Sequence, residues 1–181
     1  GGTLTALANW TAYNTQNITL TNITGTTVID TAGHTITVDC ILQGTGGFVK
    51  GGAGNLVLGR TNTFEGQTTV TNGTATIGPA GSIGSSTNIM VRGGVLALET
   101  TGNTAIGDSA SVRIEGNGRM NLGSDVADTI GSLYLSGAPM LNGTWGSQSS
   151  PAEFKTDRYF SGAGCLIVAN GLPKGMLLMI R

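Results

Sequence analysis

The chain has 181 residues, of which 31 are glycine and only 10% are charged, and its formal net charge is −1. Nine Lys and Arg residues scattered along it form no basic patch for nucleic acid, and no apolar run reaches the ~18 residues of a membrane helix. We therefore expect neither nucleic-acid binding nor membrane insertion. The length suits one domain with its own core.

The first 24 residues carry Leu4, Leu7, Trp10 and Tyr13 at a spacing of three, which is compatible with a helix. The interleaved threonines and asparagines favour strands and turns instead. We therefore predict that residues 1–24 form a first coil, closed by a contact of Trp10. The chain begins without a charged start or an apolar signal region, so we expect a mature, exported chain.

Alternating apolar residues then recur along the chain in short runs separated by glycine, which is the pattern of half-buried strands. The clearest stretch is residues 47–78, with strands at 56–58, 68–71 and 74–77 and a corner at 62–66. Further strands are predicted at the following positions: 87–91, 94–99, 111–115, 118–122 and 130–136. Disordered chains lack such stripes, so we expect a folded all-β protein.

A similar phrase, Ile-Gly followed by a polar pair, occurs at Ile83 and again at Ile106, 23 residues later. An interval of this size suits one coil of a solenoid, in which each coil contacts mainly its neighbours. The sequence therefore predicts a parallel β-solenoid, or β-helix, of roughly eight coils over residues 1–170, forming a rod ~40 Å long.

Residues 47–78 also carry the motif of a known repeat, with glycines ahead of the strands and an Asn-Thr-aromatic corner: Gly52, Ala53, Gly54, Leu56, Leu58, Asn62, Thr63, Phe64, Gly66, Thr68, Val70 and Gly73. This motif resembles the autotransporter-associated β-strand repeat of secreted bacterial passenger proteins. It departs from the usual form at Arg60, where a small residue is common, and at Phe64, where Tyr is common. The resemblance implies a right-handed parallel β-solenoid that is secreted and mostly non-catalytic.

The end of the chain, at residues 141–146 and 159–164, is similar to the segments that close such arrays. We expect a closing segment over residues 141–168. Three aromatic residues lie in it: Trp145, Tyr159 and Phe160. They could stack on sugars, but we favour the interpretation that they plug the end of the core.

No motif for chemistry stands out. His34, the only histidine, lies between Asp30 and Asp39, but nothing positions a serine beside it, and neither a GxSxG nor an HExxH motif occurs. Acid pairs such as Asp125 with Asp128 and Glu153 with Asp157 could serve a glycosidase or bind calcium, yet scattered acids more often point singly into solvent. We predict no catalytic residue, no metal site and no cofactor.

The two cysteines, Cys40 and Cys165, each lie in an apolar strand. In a solenoid of such coils they would be ~25 Å apart, whereas a disulfide requires Cα atoms within ~7 Å. We expect two buried free thiols.

A solenoid has two open ends, and the sequence shows no charged or helical cap for either. This indicates end-to-end association, and head-to-tail contacts that do not close produce filaments. An apolar tail at residues 171–181 could bridge the joint, or else form a final strand on the solenoid. The candidate assembly residues are Met176, Leu177, Leu178, Met179 and Ile180.

The sequence therefore predicts a secreted or cell-surface structural protein, with itself as the main partner and cell-surface polysaccharide as a further one. The alternatives are an adhesive or glycan-binding passenger module and, third, a polysaccharide-degrading enzyme. A rival structural interpretation is that the chain is part of a longer passenger.

Overall fold

The computed structural model describes residues 1–13, 16–21 and 26–175. The tail residues proposed for assembly, Met176 to Ile180, lie outside this part of the chain. The described residues form strands and turns only, and none of their segments is a helix able to cross a membrane. The predicted all-β solenoid is confirmed, with parallel strands stacked in about six turns.

Two long sheets form two faces of the stack. Sheet 1 contains β1 Gly2–Thr5, β4 Thr27–Asp30, β7 Phe48–Gly51, β10 Thr68–Val70, β12 Asn88–Val91, β14 Ser111–Ile114, β17 Ser132–Leu135 and β18 Ala138–Pro139. Sheet 2 contains β2 Trp10–Ala12, β5 Thr35–Val38, β8 Asn55–Leu58, β11 Thr74–Ile77, β13 Val95–Leu98, β15 Arg119–Leu122 and β21 Phe160–Ser161.

Two shorter sheets complete the described strands. Sheet 3 contains β3 Ile18–Thr19, β6 Leu42–Gly44 and β9 Thr63–Phe64. Sheet 4 contains β16 Ala127–Ile130, β22 Cys165–Val168, β19 Gly143–Gly146 and β20 Phe154–Lys155.

The core follows from strict register between successive turns. Alternate side chains of a strand point to opposite faces, so equivalent positions stack into rows. One inward row of sheet 2 runs through every turn: Trp10, Ile36, Leu56, Ala75, Leu96, Met120 and Phe160. From Ile36 to Phe160 its members are buried. This continuous apolar column gives each turn a packing partner above and below.

The number of coils is about six rather than eight. Equivalent positions in sheet 1 lie 20 to 25 residues apart, as between Phe48 and Thr68 or between Thr3 and Val28. The predicted 23-residue interval holds at Ile83, whose amide donates to the carbonyl of Ala105 in the next turn at 2.8 Å. Part of the shortfall arises because residues 138–155 do not continue the winding.

The repeat motif has a direct steric and hydrogen-bonding role. A methyl group at Gly54 would clash with the carbonyl oxygen of His34 in the preceding turn, so only glycine allows the turns to stack this closely. The buried Asn62 side chain accepts from the Leu42 amide at 2.9 Å and donates to the Ser82 carbonyl at 3.0 Å. One side chain thereby joins three successive turns.

The C-terminal end is covered by residues 138–155, which we call the C-terminal cap. After β17 the chain reverses, and β18 pairs antiparallel to it. β19 then pairs antiparallel to β22, and β20 lies beyond β19. The sequence predicts no charged or helical cap but a closing segment over residues 141–168; in the described residues this end has no helix, and antiparallel strands cover it.

Candidate functional site

The outer face of sheet 1 carries a groove with a volume of about 640 Å³. It is formed by outward side chains of three successive strands, β7, β10 and β12. Val49, Thr69 and Met90 stand in register and form its floor. Gln67 lines one side, and Thr71 and Arg92 line the other. We call this feature the sheet 1 groove.

Local hydrogen bonds hold the groove in shape. Thr69 points outward from its strand yet is only 9% exposed, which places it at the bottom of a real depression. The Gln67 amide Nε2 donates to Thr69 Oγ1 at 2.9 Å, and Thr71 Oγ1 donates to the Lys50 carbonyl at 3.0 Å. Because the underlying backbone is a paired sheet, these side chains are presented on a rigid surface.

The groove continues toward the C-terminal end. A smaller depression of about 60 Å³ shares Gln67 and Met90 with it and adds Asn88, Ser111 and Arg113. Arg113 follows Met90 in the same outward row, and Tyr134 follows Arg113. Along the stack, this outward row therefore changes from Val49, Thr69 and Met90 at the floor of the groove to the cationic Arg113 and the aromatic Tyr134.

The two arginines of this face are held differently. Arg92 Nε lies 3.4 Å from the carboxylate of Glu115 in the next turn, and both side chains are partly exposed. The Arg113 guanidinium lies over the Tyr134 ring, 3.9 Å from its centroid, and makes no ion pair within the described ranges. A guanidinium fixed on a ring with no carboxylate partner is available to an anion from solution.

Beneath the groove, Lys50 is fully buried in an otherwise apolar inward row of sheet 1. Its ammonium donates to the carbonyls of Gly51 and Gly52 at 2.8 Å and of Asn72 at 3.0 Å. Burial lowers the pKa of Lys50 to about 8, while the nearby Asp30 raises it. Lys50 was not predicted as a buried residue. A lysine at the inward position of an alternating strand, just before two glycines, could have indicated it.

In the described part of the chain, the N-terminal end of the stack is exposed. Leu4 is 46% exposed, Leu7 91% and Tyr13 70%, and β1 has no neighbour on its outer edge in the described part of the chain. A cavity of about 210 Å³ opens here between Leu4 and Trp10 and reaches Ile36 of the next turn. The inward apolar row of sheet 2, which is buried in the later turns, is therefore exposed at this end.

The three aromatic residues predicted for sugar stacking have different positions. Phe160 is fully buried, so it cannot present its ring to a sugar, and its inclusion was wrong. Trp145 stacks on Phe154 with centroids 4.6 Å apart, and its Nε1 donates to the Leu141 carbonyl at 3.0 Å. The Tyr159 hydroxyl lies 2.7 Å from Ser136 Oγ. Trp145 and Tyr159 pack partly against the core, and their role in glycan binding stays a prediction.

The residues considered for catalysis are dispersed. His34 lies in the turn before β5. Glu153 pairs with Lys174 at 2.6 Å, and Asp157 accepts from the Gln148 amide at 2.8 Å. Within the described ranges, no three His, Cys, Asp or Glu residues are grouped so as to hold a metal ion.

One of these acids is unusual because it is buried. Asp128 Oδ2 accepts from the Ile106 amide at 2.8 Å, while Oδ1 has no hydrogen-bond partner among the described residues. Burial raises its pKa to about 6, against the effect of the backbone amides of Ile106 and Ala105. The carboxyl group faces the space between two turns rather than solvent, which suits a structural position.

Both cysteines are free and buried, as predicted. Cys165 begins β22, but Cys40 lies in the bend between β5 and β6, so its placement in a strand was wrong. Burial raises the pKa of the Cys40 and Cys165 thiols above the ordinary value. A thiol kept protonated and out of solvent behaves as a small apolar side chain.

Comparison with known proteins finds one relevant relative. Over 118 residues the chain is 33% identical to the adhesin BmaC autotransporter of Brucella suis biovar 1 (strain 1330). The match covers 65% of this chain but 3% of that protein, so the chain spans only a small part of its relative's length. No family model matches the chain, and no solved structure matches it. The chain is thus a β-solenoid similar in sequence to a section of an autotransporter adhesin.

Proposed function

We propose that this chain is a non-catalytic, adhesive passenger-type module at the cell surface. The observation that carries the proposal is a parallel stack with a shaped groove on its outer face, in a chain similar to an autotransporter adhesin. The proposal places the chain outside the cell, either secreted or held at the surface.

The architecture supports this role physically. Each turn contacts mainly the turns on either side, so a stack of any length keeps the same cross-section and holds its outer face at a fixed orientation. The Asn62 side chain and the buried Lys50 ammonium tie consecutive turns together. Such a rod can hold a binding surface away from its point of attachment without a flexible linker.

The non-catalytic part of the proposal is supported by how the polar groups are used. Glu153 makes an ion pair, Asp128 and Asp157 accept backbone amides, and the Lys50 ammonium donates to three carbonyls. An acid–base pair for hydrolysis needs two carboxyl groups facing a common substrate position.

Attachment of coated beads to cells tests adhesion directly. Fluorescent beads carrying the purified chain are applied to host epithelial cells and to bacterial cells, and bound beads are counted after washing. The control is Leu96→Asp, which places a carboxylate in the apolar column and unfolds the stack. We expect the native chain alone to attach beads. Equal attachment by the native and Leu96→Asp chains would contradict the proposal.

A second proposal, end-to-end self-association into a surface filament or sheath, is favoured by the open N-terminal end. The exposed Leu4, Leu7 and Tyr13, together with the free edge of β1, provide apolar area and unpaired backbone groups for a second copy. At the opposite end the sheets finish in β18, β20 and β21, which have two residues each and so offer a second copy fewer backbone groups than β1 does. Growth beyond a pair of molecules would then require another surface, such as the tail at 176–180.

Electron microscopy and sedimentation of the chain with and without residues 171–181 separate these possibilities. Filaments that vanish on truncation support a joint through the tail. Dimers that persist on truncation, but dissociate on Leu7→Ser, support a joint between N-terminal ends. A monomer at all concentrations would contradict self-association.

A further inference from the structure

We infer that the sheet 1 groove is the ligand site of this module and that it takes an extended anionic glycan, whose carboxylate or sulfate groups are received by Arg92 and Arg113. The inference rests on the proposed adhesive function and adds a site and a ligand class to it. The name of the adhesin relative states neither a binding site nor a ligand.

The shape of the groove argues for an extended chain. Its floor and its continuation cross strands β7, β10, β12 and β14, which are successive rungs of sheet 1. At ~4.8 Å between neighbouring strands, the four rungs span ~14 Å. A linear oligosaccharide lying along the stack axis fits this length better than a compact small molecule does.

The lining argues for a sugar rather than a peptide. The backbone groups of the floor are already paired within sheet 1, so a peptide could not add itself as a strand there. Gln67 and Asn88 along one side and Thr71 along the other offer amide and hydroxyl groups, which are suited to sugar hydroxyls. Val49 and Met90 between them can pack against the apolar face of a sugar ring.

The charges argue for an anionic sugar. On this face, Glu115 faces Arg92, and Asp30, on the earlier strand β4, has its Oδ1 accept from the Ala32 amide at 2.8 Å. Arg113 has no acidic partner in the described residues and is aligned by the Tyr134 ring. A guanidinium binds carboxylate and sulfate groups in a planar, two-bond geometry, and one held in place loses little freedom on binding.

The inference is tested by titrating three probes onto the folded chain: a heparin-derived octasaccharide, an oligogalacturonate of the same length and neutral maltooctaose. The test variant is R92Q/R113Q. The matched control is R60Q, which removes one arginine charge outside the groove, where Arg60 pairs with Asp39 at 2.7 Å. A second test variant, Thr69→Trp, fills the floor and leaves the charges intact. Circular dichroism melting establishes that each variant is folded.

We expect the native chain to bind at least one acidic probe and not maltooctaose, with affinity falling as salt is raised. The expected loss is at least ~10-fold for R92Q/R113Q and less than ~2-fold for R60Q. Thr69→Trp should also weaken binding by at least ~10-fold, because it occupies the floor.

Equal binding of acidic and neutral probes would overturn the ligand class, and equal loss in R92Q/R113Q and R60Q would overturn the site. Native beads that attach to cells, combined with no binding of either acidic probe, would overturn this inference while leaving the adhesive proposal standing. Failure of the beads to attach would instead count against the proposed function itself.

Discussion

Trp10 and Phe160 occupy opposite ends of the same inward row of sheet 2, yet Trp10 is 44% exposed and Phe160 is fully buried. The row between them is continuous and apolar. The difference arises from what lies beyond each residue, because the C-terminal end has additional strands packed over it and the N-terminal end does not. The burial of a solenoid residue is therefore set by its neighbouring turns as much as by its own strand.

The C-terminal end shows how a stack can be closed without a helix. Sheet 1 ends in the two-residue strand β18, which contains Pro139 and so lacks one backbone donor at its edge. Sheet 4 ends in the two-residue strand β20. Short edge strands and an edge proline both discourage pairing with another chain. The first strand of sheet 1 has neither feature, and its four residues are all exposed.

The largest expected effect comes from truncating the two aromatic ends of the shared row. Phe160→Ala should lower the free energy of unfolding by about 3–5 kcal/mol, because it leaves a cavity in a fully buried column. Trp10→Ala should cost about 1 kcal/mol, since the residue is already 44% exposed. Urea denaturation of both variants measures the difference. Equal losses of unfolding free energy in the two variants would mean that the two ends are equally packed, which contradicts the difference described here.

A pH effect is expected beside the closed end, where β16 carries Asp128 and pairs with β22. The folded-state pKa of about 6 lies above the ordinary value of 3.8, so the folded chain binds the proton more tightly than the unfolded chain. The free energy of unfolding should therefore rise as the pH falls from 7 toward 4, by at most about 3 kcal/mol.

The matched variant for this pH effect is Asp128→Asn, which keeps the acceptor for the Ile106 amide and removes the titration. Its unfolding free energy should change less with pH over the same range than that of the native chain. Urea denaturation of the two proteins between pH 4 and pH 7 measures both profiles. Identical profiles would show that Asp128 is not buried as described.

Lys50 provides a reference in the interior of the stack, away from both ends. Lys50→Met removes the donor to three carbonyl groups and should lower the free energy of unfolding by about 1–2 kcal/mol, because two turns lose their common hydrogen-bonding partner. Thermal denaturation at pH 7 measures this loss of stability. A more stable variant would mean that the cost of burying the ammonium exceeds the value of its three bonds.

The smallest effect on folding is expected at the open end. Leu7→Ser should change the free energy of unfolding by less than ~0.5 kcal/mol, because the side chain is 91% exposed. The same variant should reduce any concentration-dependent association of the chain, which sedimentation velocity detects. A large loss of stability in the monomer would show that Leu7 is covered within its own chain.

The individual strands could be predicted from the sequence because each is a local pattern. β11 has the predicted bounds of 74–77, and β8, β12, β13 and β14 lie within a residue of the predicted ones. Alternating apolar residues and glycines report which side of each strand is buried, and this information lies within a few residues. The free, buried cysteines followed from the same reasoning.

A closing segment was expected over residues 141–168 only from the family resemblance. Its strand pairings and the groove could not be predicted from local patterns, because both depend on pairing between distant residues. The antiparallel pairing of β19 with β22 joins Trp145 to Leu166, and no local pattern marks its direction. The row of Thr69, Met90 and Arg113 exists only once the register of three turns is known. The coil number was overestimated partly because residues 138–155 cover the stack and do not continue it.

Hydrogen–deuterium exchange resolved by strand tests the asymmetry of the two ends most directly. The account predicts that the amides of β19 and β22 exchange nearly as slowly as those of β8 and β11 in the interior, because they are paired within a closed end. The amides of β1 and β2 should exchange faster by a factor of at least ~100. Slow exchange in β1 and β2 with fast exchange in β19 and β22 would contradict a stack that is open at its N-terminal end and closed at its C-terminal end.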